Sequence, residues 1–132
     1  MLKRFIEDEI YGESFTLYVL SNAHDKKRLD FIYDGTLGSV IKSACAFVAR
    51  GEQYGEEFEI LVLCPEHDNT SLVHEVIHHA THTFKQAGIL IEHGNDEAFA
   101  YYVEYILRKC YKAISIDNKT GTRSKNPHKG RK

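Results

Sequence analysis

Apolar residues keep two different rhythms along this chain, and the change near Pro65 divides it in two. Before that point they fall in short, dense runs; after it they recur every three or four positions. Residues 13–21, ESFTLYVLS, are rich in β-branched and aromatic side chains and predict a strand. NAHDKKRLDFIYDG follows, polar except for Leu29, Phe31 and Ile32, and predicts a short helix closing near Gly35. GSVIKSACAFVARG admits two readings. A helix over Ser39 to Val48 suits its composition. Two antiparallel strands, Ala44 to Arg50 and Phe58 to Cys64, suit the connecting GEQYG and the stop at Pro65, and this reading is preferred.

Beyond Pro65 the pattern is helical. Leu72, Val73, Val76, Ile77, Ala80 and Phe84 repeat at the spacing of one helix face. Asp68, Asn69 or Thr70 can accept from the free amides of the first turn, and Gly88 supplies a left-handed stop after Ala87. After the link ILIEHG, a second long helix opens at Asn95 or Asp96. Its stripe is Ala98, Phe99, Tyr102, Val103, Ile106, Leu107 and Cys110. The fold class expected is therefore α+β: a small, mostly antiparallel N-terminal sheet packed against two long helices. Residues 1–117 form one domain, and 118–132 a separate tail.

Composition changes this picture only at the ends. With 132 residues, 42% apolar and 27% charged, the chain can bury a core without cross-links. A net charge of −2 gives no strong field for nucleic acid or anionic lipid. The last fourteen residues, KTGTRSKNPHKGRK, carry six Lys or Arg and no acid, which predicts a solvated, disordered tail and the one place for a nucleic-acid contact. Cys45, Cys64 and Cys110 are odd in number, far apart and set among apolar neighbours, so buried free thiols are expected. The N-terminus has no apolar run suited to a signal peptide and no stretch suits a bilayer, so the expected location is cytoplasmic.

Candidate chemistry lies in the first long helix. LVHEVIHHATH, residues 72–82, holds four of the eight histidines. His74-Glu75-Val76-Ile77-His78 is an HExxH pattern, and residues four apart on a helix are turned by only about 40°, so two imidazoles converge on one ion. Glu75, about 100° round the helix from His74, leans over the ion's open side rather than ligating it. His82 is about 12 Å beyond His74 along the axis, and His79 about 100° from His78. Both are expected at the surface or behind the ligands, with His79 in reach of a substrate. A catalytic zinc takes three protein ligands and keeps one open position. His93, Asp96, Glu97 and Glu104 are the downstream candidates. Glu97 is preferred, because the link carries the chain back and the second helix then faces the first.

HEVIH followed after eighteen residues by Glu97 resembles the gluzincin-type metallopeptidases, and LVHEVIHHATHTFKQAGI…NDEAFAYYVEYI is similar to small HExxH proteins of bacteriophages. The resemblance spans about Phe58 to Ile114. It implies a minimal zincin-like fold and a Zn2+ cofactor held by His74, His78 and Glu97. It further implies Glu75 as general base, a peptide or protein substrate, and the host cytoplasm as setting. Many gluzincins place an aspartate four residues after the third ligand, to brace a ligand histidine; here that position is Tyr101. Bracing is then left to Glu104 or a backbone carbonyl, and Tyr101 becomes the candidate phenol donor to an oxyanion, with the strand EEFEILVLC as an edge for an extended peptide. A zinc-binding interaction or phage-assembly protein, using the basic tail, is the alternative.

Overall fold

The computed structural model of the chain describes residues 1–125, with side chains to residue 115. Its elements run β1 (Leu2–Ile6), β2 (Phe15–Val19), α1 (Ala23–Ile32), α2 (Gly38–Ser43), β3 (Ala46–Gln53), β4 (Glu56–Leu63), α3 (Ser71–Gln86) and α4 (Asp96–Lys125). The four strands form one sheet in the order β1-β2-β4-β3. β1 and β3 pair antiparallel with β2 and β4, whereas β2 and β4 are parallel, so the sheet is mixed. The class is α+β, as expected.

Successive strand residues face opposite sides of a sheet, and here both sides are apolar. Phe15, Leu17, Leu61 and Leu63 pack with Leu72, Val76 and Phe84 of α3 and with Ile106 and Cys110 of α4. Tyr18, Ile60, Val62 and Phe47 pack on the opposite side with Leu29 of α1 and Ile41 of α2. Inner strands covered on both faces read as unbroken apolar runs, which is why ILVLC lacks alternation.

The ambiguous segment contains both alternatives in miniature. GSVIKS forms the short helix α2, and the strand begins at Ala46. The hairpin turns on Tyr54 and Gly55, with φ of 55° and 79°, the left-handed pair that a two-residue turn between twisted strands requires. Two expectations need correction. EEFEILVLC is not an edge: β4 lies between β2 and β3, because its neighbours cover both of its hydrogen-bonding sides, and the outer strands are β1 and β3. Cys45 is exposed; Cys64 and Cys110 are buried, and all three are free. Burial pushes the Cys110 thiol up to about 12. β1 carries no clear sequence signal, since Lys3 and Arg4 interrupt it.

The tail expected over 118–132 is described only as backbone to Lys125, where it continues α4; the rest lies outside the described residues. Among the described residues, no helix is long and apolar enough to cross a membrane.

Candidate metal centre on the histidine-rich helix

α3 has defined ends. Thr70 is the N-cap, but its side chain makes no capping bond. Instead the Asp68 carboxylate accepts from the Thr70 amide, the Thr70 hydroxyl and the Ser71 hydroxyl at 2.9, 2.8 and 3.2 Å. At the other end Gly88, with φ of 74°, donates to the Lys85 carbonyl, and Ile89 reaches back to the Phe84 carbonyl at 2.8 Å. That pair of bonds is the Schellman closure.

Leu72, Val76, Ala80 and Phe84 turn one side of α3 into the core, so the residues opposite them face water. His74 and His78 are both exposed. Their Nε2 atoms stand 3.1 Å apart with the rings at 74° to one another. Two nitrogens bound tetrahedrally to one zinc at about 2.0–2.1 Å are themselves about 3.3 Å apart. The pair therefore fits a zinc ion with little adjustment. Without a cation the same spacing is a hydrogen bond from one imidazole to the other.

Glu75 stands on the flank of the helix, 7% exposed, with Oε2 3.9 Å from His74 Nε2. Burial pushes its carboxyl above the usual range, against the opposing pull of His74 and His78. A carboxylate that is costly to keep charged takes up a proton readily.

The structure brings His74, Glu75 and His78 together and leaves the other expected members apart. α3 and α4 are antiparallel, with Phe99 against Phe84 and Tyr102 within hydrogen-bond distance of His79. That register sets exposed Glu97 level with Gln86, about 15 Å along the axis from the middle of HEVIH. Asp96 is one residue further off, and exposed His93 belongs to the link at the same end. Tyr101 is 65% exposed and lines a shallow hollow with Tyr105, Arg108 and Lys109, which contains no residue of α3. Glu104 is ion-paired with Arg108 at 2.9 Å and braces neither ligand histidine.

His79 corrects a further expectation. It lies neither at the surface nor behind the ligand histidines but fully buried, with Glu59 and Tyr102 as its partners. Nδ1 meets Glu59 Oε2 at 2.5 Å, and Nε2 meets Tyr102 Oη at 3.0 Å. Tyr102 Oη donates to Asp8 Oδ2 at 2.7 Å. Tyr102 has one proton and gives it to Asp8, so the bond to His79 uses the ring's own N–H. Asp8 also accepts from the amides of Ile10, Tyr11 and Glu13 at 2.9–3.1 Å. Burial opposes its charge, but these bonds outweigh that effect and hold its carboxyl below the usual range. The chain Glu59–His79–Tyr102–Asp8 ties β4, α3, α4 and the β1–β2 loop together inside the protein. Its sequence signal was the position of His79 on the stripe of Val76, Ala80 and Thr83.

Among the described residues, one group of three or more ligand-type side chains has its donor atoms all within 4.8 Å of one another: Glu13, Glu59 and His82. Nothing in the sequence marks it, since its members come from a loop, a strand and a helix far apart in the chain. No protein-family model, curated protein or solved structure matches this chain.

Proposed function

We propose that the chain is a zinc-dependent peptidase in which His74 and His78 hold the ion and Glu75 moves the proton. The 3.1 Å approach of the two Nε2 atoms, with a buried carboxylate 3.9 Å from one of them, carries this reading. Zinc held there would supply Lewis acidity and a water acidic enough to ionise near neutral pH. Glu75 takes the proton of the attacking water and returns it to the leaving amine. Burial on the flank of α3 raises the basicity of its carboxylate, which suits the proton-accepting half of that transfer. Glu97 has no part in this version of the site; His74 and His78 would hold the ion, and solvent or substrate would complete its coordination.

The zincin-like element of the reading is the placing of α3 beside an outer strand. β3 is one of the two edges of the sheet, and an extended peptide added along it by main-chain hydrogen bonds would run past the Glu75 flank. The free cysteines suit a cytoplasmic setting.

A second reading, a zinc-binding interaction protein without catalysis, is favoured by the separation of Glu97 from the histidine pair. Zinc content and peptide-library digestion of wild type and Glu75→Gln separate the two. The peptidase reading expects cleavage by wild type, and a loss of at least a hundredfold in Glu75→Gln with zinc retained. Equal zinc and no cleavage by either protein would leave the binding module.

A further inference from the structure

We infer that Glu13, Glu59 and His82 form a second divalent-cation site, separate from the HEVIH pair and nearer the C-terminal end of α3. Glu13 comes from the β1–β2 loop, Glu59 from β4 and His82 from α3, with donor atoms all within 4.8 Å. His82 Nε2 and Glu13 Oε1 are 3.9 Å apart, too far for a hydrogen bond. Ligands of one small cation stand about 3–3.5 Å apart, so modest side-chain rotation closes the set.

Glu59 has a carboxylate oxygen to spare. Its side chain is nine-tenths buried, yet both of its partners, His79 Nδ1 at 2.5 Å and Arg50 Nη2 at 3.4 Å, engage Oε2. Among the described residues Oε1 has no protein donor. A mostly buried carboxylate that lines a cleft with one oxygen lacking a protein donor is met there by a water or an ion. The contact with His79 meanwhile fixes the carboxylate's orientation, as outer partners do for metal ligands.

The surroundings select a cation. The three residues line an open cleft of about 660 Å³ that also receives Glu52 and Glu57, with Arg50 as its one Lys or Arg. Glu52 and Glu57 lie directly opposite each other across the β3–β4 pair, a like-charge pairing that destabilises a sheet unless something neutralises it. Glu13 is held in place because its amide donates to Asp8. Two carboxylates with one imidazole suit a first-row divalent ion from Mn2+ to Zn2+.

The test uses the full chain carrying His74→Ala and His78→Ala, so that the HEVIH pair contributes nothing. Mn2+ binding is counted by electron paramagnetic resonance, and zinc by metal analysis after equilibrium dialysis. The proposal expects one ion per chain in this background. Adding His82→Gln or Glu13→Gln should weaken binding at least tenfold with thermal unfolding unchanged, and bound Mn2+ should broaden the His82 ring resonances. No saturable binding in the background variant, or equal binding after His82→Gln, overturns it. Wild-type protein that binds one ion, lost with His82→Gln and kept without His74 and His78, supports this site while removing the zinc site proposed above.

Discussion

Asp8 shows how much one side chain can organise here. It is 3% exposed, takes three backbone amides and the Tyr102 hydroxyl, and anchors the loop that presents Glu13. Hydrogen bonds to a charged group contribute about 1.5–3 kcal/mol each in favourable cases. Asp8→Asn should therefore lower stability at pH 7 by about 2 kcal/mol in urea unfolding. The folded pKa of Asp8 is depressed, so its contribution is present above the unfolded value of 3.8 and is lost as pH falls through the folded value. Wild type should consequently lose its advantage over the variant as pH drops below about 4. A gap that stays constant from pH 7 to pH 2.5 would show that Asp8 acts through shape alone. Tyr102→Phe removes the central hydroxyl of the same chain and leaves the buried His79 Nε2 with only the longer 3.4 Å contact to Thr83 Oγ1, at a cost of about 1–3 kcal/mol in urea unfolding. Residue spacing alone identified His74 and His78 as a facing pair. It said less about His79, because a histidine on an apolar stripe needs partners from other elements before its role can be read.

At the scale of elements, local signals located α3 and its ends well. Gly88 sits where the structure needs a positive φ, and Gly88→Ala should destabilise by about 1 kcal/mol through left-handed strain. A melting temperature unchanged within 1 °C would contradict that role. α1 and β2 were legible for similar reasons: Asn22 caps the helix through a 2.9 Å bond to the Asp25 amide, and FTLYV is a strong strand former. What stayed hidden depended on partners. β1 is recognisable only once β2 exists to pair with it, and the inner position of β4 follows from the parallel β2–β4 contact, which no local pattern encodes. The relation of Glu97 to the histidines had the same origin. Helix periodicity gave both helices, but the antiparallel register, fixed by Phe84 on Phe99 and His79 on Tyr102, decided which residues stand level.

At the scale of the molecule, the sheet with helices on both faces sets two groups of ligand-type side chains on or beside α3: the His74–His78 pair on its outer side and the Glu13, Glu59 and His82 group in the cleft towards the β3–β4 hairpin. A cation that binds the folded state alone stabilises it by about 2.7 kcal/mol at a hundred times its dissociation constant. Zinc should thus raise the melting temperature of wild type, with a smaller rise in the His74→Ala/His78→Ala protein. An identical rise in both would assign all the effect to the other cleft. The most direct measurement is an anomalous difference map, recorded at the zinc edge, from crystals grown with the metal. A peak is expected about 2.0–2.1 Å from Nε2 of both His74 and His78, with the Glu75 carboxylate beside it and not bound. A zinc-containing crystal with no peak between those two rings would contradict the zinc reading.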